Sequence, residues 1–317
     1  MAIVDFRVEL AEQIDVAGSL ELFRRSGDDL IDRWDGQRLI RAVPVGTGRW
    51  VPFIARPVQG TPPAFGVTVA RPADADVVRC AVATTFTPAP DHYRRLLRED
   101  AALAALDARF PGIRQIRQLD IFTALIRCIS AQQVNLRWAV TTRRRLAEAF
   151  GLRFEIGNEV VYALDPARIA MVDPTRIRAL QFTTNKSVSI VATAQAMVSD
   201  PDLSLDQLNL LQDDDVIQRL IAIRGIGLWS AEWVLARTLG RPRVVAGDLG
   251  VRKAVGLAYL ETPLPGQAEV RAATAHWGES AGVAQALVLH ALGEGVLKSP
   301  PAKPLEARRE SRVESRQ

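Results

Sequence analysis

The sequence predicts an α+β protein in which a small N-terminal antiparallel β-sheet domain carrying one helix precedes a larger, mainly α-helical domain. Near the N-terminus, Val4, Phe6, Val8 and Leu10 alternate with Asp5, Arg7 and Glu9, the period-two pattern of a half-buried strand. Beyond Thr87-Pro88-Ala89-Pro90-Asp91 the apolar period becomes helical and stays so almost to the end. At 317 residues, 48% hydrophobic and 24% charged, the chain can also bury more than one sizeable core.

After the first strand, residues 19–34 place Leu20, Leu22, Phe23, Leu30, Ile31 and Trp34 at roughly helical spacing, with Gly27 weakening the middle. Strands are expected over 38–45, 50–58, 65–70 and 77–85, separated by Gly and Pro turns. Asp91 is placed to cap the next helix, and helices are expected over 91–107, 120–133, 135–150, 184–199, 213–223, 228–240, 248–259 and 281–292. Gly151 and Gly240 stand where C-terminal caps belong. The domains are therefore drawn as 1–90 and 91–297. After Leu297 the chain becomes Lys, Pro, Arg, Glu and Ser, so 298–317 reads as a disordered tail.

A net charge of +4 permits a polyanionic partner without demanding one. Only Lys186, Lys253, Lys298 and Lys303 among the 40 basic residues are lysines, and so strong a bias toward arginine fits codon usage as well as phosphate binding. Cys80 and Cys128 are too few for a disulfide framework or a four-cysteine cluster, and both are expected to be buried, reduced thiols. The N-terminus carries a charge by Asp5 and lacks a long apolar run, which points to a cytoplasmic protein with no membrane partner.

The segment Ile223-Arg224-Gly225-Ile226-Gly227-Leu228-Trp229 describes two helices joined by a very tight turn. Glycine supplies the positive φ such a turn needs, and the amides opening the second helix are left free to hold a phosphate oxygen. That is a helix-hairpin-helix, whose ordinary alternative is a plain αα-hairpin. Asp213, Asp214 and Asp215 would cap its first helix. Twenty-one residues after Gly227, the stretch Val244 to Lys253 turns at Gly247 and places Asp248 just before another helical run. Asp248 could serve as a helix cap, and a capping carboxylate is also held rigid for chemistry.

Hairpin, gap and Asp248 together resemble the helix-hairpin-helix base-excision DNA glycosylases, and a β-rich N-terminal domain before the helical one resembles their alkylbase, 3-methyladenine DNA glycosylase II, subfamily. The resemblance extends from about residue 4 to 295. It implies double-stranded DNA with damaged bases as partner, a monomer working on chromosomal DNA, and excision of alkylated purines. Asp248 would stabilise the sugar cation, and Arg224, Gly225, Ile226 and Gly227 would hold the DNA backbone. No cofactor is implied beyond a monovalent cation held by hairpin carbonyls, and no other metal.

Residues 121–135, ending Ser130-Ala131-Gln132-Gln133-Val134-Asn135, resemble the family's wedge helix and turn, which puts Gln132 and Gln133 at the DNA and Gln133 in the gap left by the extruded base; simple amide capping is the alternative. Relatives that also cut the strand carry a lysine two residues after the second hairpin glycine, where this chain has Trp229. The resemblance thus implies a glycosylase without lyase activity. Trp229 and Trp233 lie four apart on one helical face, as core residues or as a wall for a cationic base. Leu292 stands where some members stack a tryptophan, and His290 reads as a hydrogen-bonded core histidine. Arg143, Arg144 and Arg145 form either a solvated face or phosphate contacts. The rival function is a non-catalytic hairpin protein that binds distorted DNA.

Overall fold

The computed structural model describes residues 4–46 and 48–297; the tail expected at 298–317 lies outside these. Five strands form one antiparallel sheet: β1 (Val4–Glu9), β2 (Arg33–Trp34), β3 (Leu39–Pro44), β4 (Trp50–Val58) and β5 (Ala64–Val69). Their order is β1-β5-β4-β3-β2, with Val4 of β1 and Phe53 of β4 facing Val69 of β5 from either side. Leu39, Val51, Phe53, Phe65 and Val67 are buried on this sheet.

Three elements of this region depart from the sequence reading. The helix expected over 19–34 runs instead from Val16 to Arg25, capped by Asp15 through Gly18 N–H at 2.8 Å. It stops where Gly27 turns to φ +116°, and Trp34 belongs to β2. Residues 77–85 form no strand: Ala75–Ala83 is a helix, and Val78, Ala81 and Val82 are its buried face. Its β-branched content suggested a strand, but the burial period is three to four, and packing on the sheet decides. Two helices, not one, therefore cover the sheet.

The remainder is mainly helical, its helices gathered in two cores. One gathers Ile121–Ala131, Leu136–Phe150, Thr184–Ser199, Asp213–Ile221 and Leu228–Arg237. The other gathers His92–Glu99, Ala101–Arg109, Leu249–Val255, Gln267–Thr274 and Ala281–Gly293. The helix expected over 91–107 breaks at Asp100, which is extended and caps Ala101–Arg109 through Leu103 N–H at 2.8 Å, whereas Asp91 makes no capping bond. The helix after Asp248 ends at Val255 and continues as a π-turn over Gly256–Leu260. A hairpin, Leu152–Ile156 with Glu159–Ala163, joins the two groups of strands and helices unannounced by the sequence reading. Cys128 is buried, but Cys80 is exposed. The His290 ring makes no hydrogen bond among the described residues; it meets Phe110 edge-on at 4.8 Å, and burial lowers its pKa.

A buried ion-pair network ties the sheet domain to the first helical core. Arg127 reaches Asp29 at 3.0 Å and Asp32 at 2.6 Å, Arg41 meets Asp32 at 2.5 Å, and Arg143 meets Asp29 at 3.0 Å and Ser130 Oγ at 2.9 Å. Arg143 is therefore neither a solvated nor a phosphate-facing residue. Arg144 pairs with Glu148 on the surface, and Arg145 with Gln181 beside Trp138. Burial alone would raise the Asp29 pKa, but the charges of Arg127 and Arg143 hold it below the ordinary carboxylate range.

Asp120, which caps the Ile121–Ala131 helix through Thr123 N–H at 2.6 Å, is pushed up to about 6, chiefly by burial, with the Asp32 charge adding to it and Arg41 opposing. A carboxyl that binds its proton more tightly in the folded state than in the unfolded one costs stability as pH rises from about 4 through about 6. Asp120→Asn keeps the cap and removes that cost. The variant should be more stable than wild type by about 1–2 kcal/mol at pH 8, after discounting for partial exposure, and no more stable near pH 4. Urea unfolding at the two pH values checks this; an equal difference at both would contradict it.

Candidate DNA-binding and catalytic site

The hairpin forms as expected, with one revision. Gly225 has φ +86°, and a Cβ there would lie 2.0 Å from Ser189 Oγ, so both conformation and packing on the Thr184–Ser199 helix require glycine. Gly227 is different: its φ is −109°, and an added Cβ would meet nothing of this chain within 4 Å. The space above Gly227 is open where the second helix begins. No side chain caps that helix, and the first intrahelical bond is Ala231 N–H to Gly227 C=O at 3.1 Å. The amides of Leu228, Trp229 and Ser230 thus offer free donors at the positive end of the helix dipole. Ile226 is buried and plugs the turn, while Arg224 is exposed. Asp213, Asp214 and Asp215 do not cap: Gln212 is the cap residue, and the three carboxylates lie inside the first turn, where they favour the dipole.

Asp248 heads the helix Leu249–Val255, and its Oδ1 accepts from Val251 N–H at 3.0 Å. A Cβ at Gly250 would crowd Asp248 Oδ1 at 3.0 Å and Leu289 Cδ2 at 3.1 Å, so this glycine makes room for the carboxylate. A Cβ at Gly247 would lie 3.5 Å from Trp229 Cβ and Cδ1, which places Trp229 against the turn before Asp248. The carboxylate belongs to the second helical core and Trp229 to a helix of the first, so the site occupies the seam between them. Trp229 and Trp233 are part-exposed, and the Trp229 Nε1 donor is enclosed without a partner among the described residues. Leu292 packs against the second core, and Leu289 of the same helix lies beside Gly250, as does the Asp248 carboxylate.

The turn at 132–135 stands beside the hairpin. Gln132 Nε2 donates to Gly225 C=O at 3.1 Å, fastening the two turns together. Gln133 is exposed in the left-handed region at φ +55°, a conformation that costs a non-glycine residue energy and aims its side chain outward. Asn135 then caps Leu136–Phe150 through Trp138 N–H at 2.8 Å. Leu136 (58% exposed), Leu228 (49%) and Leu249 (53%) begin the helices after Gln133, Gly227 and Asp248, so apolar side chains are spent on solvent at all three positions.

The model of the helix-hairpin-helix (HhH-GPD) superfamily of base excision DNA repair proteins matches residues 126–280, which include the wedge turn, the hairpin and Asp248. Residues 126–280 carry the pattern of this superfamily. The chain is 30% identical over 188 residues to the putative DNA-3-methyladenine glycosylase YfjP of Bacillus subtilis, covering 59% of this chain and 62% of that one. It is also 30% identical over 189 residues to the DNA-3-methyladenine glycosylase of the same organism, again covering 59% and 62%. The matched region thus spans about three-fifths of each relative. The 3-methyladenine DNA glycosylase structure from Archaeoglobus fulgidus shares the fold, with a TM-score of 0.80 at 22% identity over 90% of this chain and 98% of that one.

Members of the superfamily often hold a monovalent cation at hairpin carbonyls, and the backbone here fits one. Gly225 C=O is engaged by Gln132 and Gly227 C=O by Ala231, but those of Arg224 and Ile226 have no donor among the described residues. No cluster of three or more His, Cys, Asp or Glu that could hold a metal ion occurs among the described residues, and neutral carbonyls suit a singly charged ion.

Three neighbours of the site escaped the sequence reading. Lys186 Nζ donates to Ser130 C=O at 2.9 Å, bracing the end of the wedge helix, and burial lowers its pKa. Cys128 lies near enough to Asp248 and Arg237 to feel both charges; burial raises its pKa and keeps it a thiol. Arg237 ends the hairpin's second helix. Sequence spacing could have flagged it alone, eight residues beyond Trp229 on the same face.

Proposed function

We propose that the protein is a monofunctional DNA glycosylase that swings an alkylated purine, of the 3-methyladenine or 7-methylguanine type, out of double-stranded DNA and hydrolyses its bond to deoxyribose. The observation that carries this is the Asp248 carboxylate, fixed at a helix start beside Trp229 and a bound-ready hairpin turn. The names of the two Bacillus subtilis relatives support the same reading.

We infer the following steps. The free amides at 228–230 hold a DNA phosphate, and a cation held by the carbonyls of Arg224 and Ile226 would add an attractive pole there. Gln133 fills the gap left by the extruded nucleotide and offsets unstacking, a cost of a few kcal/mol. When the C1′–N bond breaks, the electron pair leaves with the base, which the alkyl group's positive charge makes a ready leaving group, and the sugar becomes cationic. Asp248 Oδ1 is committed to Val251, which leaves Oδ2 to stabilise that cation. Water then adds at C1′, and Asp248 is placed to take its proton.

Strand cutting would need an amine to form a Schiff base. Trp229 occupies the position of the family's lysine, Lys186 is bonded to Ser130, and Lys253 points to solvent. We extend the reading to a monomer acting in the cytoplasm. Incubation with methylated duplex DNA should release methylpurines and leave strands intact until alkali is added. Failure to release any base overturns the proposal, and breaks without alkali overturn its monofunctional part.

A further inference from the structure

Arg237 has no chemical partner where every comparable arginine has one. Arg41, Arg127 and Arg143 each hold a buried carboxylate, Arg114 holds Glu12 at 2.8 Å, and Arg117 donates twice to Thr238 C=O. Among the described residues the part-exposed Arg237 guanidinium makes no hydrogen bond or ion pair; its surroundings are the Trp233 ring, with its centroid 5.5 Å away, the Cys128 thiol and the charge of Asp248. Partial burial lowers its pKa. The side chain is part-exposed, so its donors keep access to water and are free to turn to an acceptor that enters beside them.

The position says what. Trp229, Trp233 and Arg237 recur every four residues along one face, and Asp248 lies beside that face, its preceding turn against Trp229 and its charge reaching Arg237. At 1.5 Å per residue, Arg237 is about 15 Å along the helix from Gly227, where the DNA backbone is held. A phosphate at the hairpin is therefore out of reach, and the group that enters past Asp248 is the extruded base. The Trp233 ring already has a guanidinium over it, which leaves Trp229 to stack.

Resting on the glycosylase reading above, we propose that Arg237 donates hydrogen bonds to the acceptor edge of the extruded purine, so that the pocket favours 6-oxopurines over 6-aminopurines. The guanidinium fork matches the O6/N7 edge of guanine-type rings, whereas a 6-amino group would confront one donor with another. In 7-methylguanine the N7 acceptor is blocked but O6 remains; hypoxanthine offers both.

Methylated DNA contains 7-methylguanine and 3-methyladenine in the same molecules, so one digestion reports their ratio of release. Arg237→Met should lower the 7-methylguanine to 3-methyladenine rate ratio about tenfold, and Arg237→Lys, which keeps the charge but not the fork, should fall between. Release of hypoxanthine from a duplex should fall at least as far as that of 7-methylguanine. The ratio is internal to one reaction, so a smaller fraction of folded protein does not alter it. A ratio unchanged within about twofold, including loss of both bases together as a phosphate contact would give, overturns the assignment. If wild type itself releases neither base, the glycosylase reading fails instead.

Discussion

Asp248→Asn should lower single-turnover release of methylated purines by about 10²–10³-fold while leaving binding to abasic-site DNA close to that of wild type. The asymmetry follows from two roles in one side chain. As a cap, Asp248 accepts from Val251 N–H at 3.0 Å, and an asparagine oxygen does this nearly as well. As a counter-charge to the sugar cation, asparagine offers only a dipole, and the loss is felt in the transition state alone. A variant that retained wild-type release would remove Asp248 from the chemistry. Much weaker abasic-site binding would show that the carboxylate acts through the fold.

The second large effect concerns stability. Arg127→Met strands Asp29 and Asp32, 3% and 6% exposed, beside one fewer cation, and removing one member of such a network costs about 3–5 kcal/mol. Phe23 adds to the cost, because the Arg41 and Arg127 guanidiniums both lie 5.5 Å from its ring centroid. Chemical denaturation should show the drop. The exposed pair Arg153–Glu155 is the internal contrast, and Arg153→Met should change nothing measurable. A loss below about 1 kcal/mol for Arg127→Met would mean that the network is not what joins the sheet domain to the wedge helix. Its consequence for function runs through Arg143, which holds Ser130 Oγ just before the wedge turn.

Local chemistry was legible in the sequence wherever one residue's conformational need decided the outcome. Gly225 announced the tight turn, Asp248 and Asn135 announced helix starts, and Thr184–Ser199 runs as its apolar spacing predicts. What the sequence hid was decided by partners far along the chain. Val77, Val78 and Val82 look like a strand until the sheet beneath them selects a helical face. Arg143 looks like a surface arginine until Asp29, 114 residues earlier, arrives to neutralise it. Gly157 and Asn158, between alternating residues, were an ordinary hairpin signal, masked by the helical pattern on either side. Arg237 shows the same limit at the candidate site: helical spacing could place it on the face of Trp229, but not leave it without a partner.

The account turns on a negative charge facing a sugar that becomes positive. Affinities for duplexes carrying a cationic pyrrolidine or a neutral tetrahydrofuran in place of the damaged nucleotide measure that charge directly. Wild type should bind the cationic analogue at least about tenfold more tightly, and Asp248→Asn should lose the preference while holding the neutral duplex as before. Equal affinity of wild type for both analogues, or a preference that survives in Asp248→Asn, would contradict it.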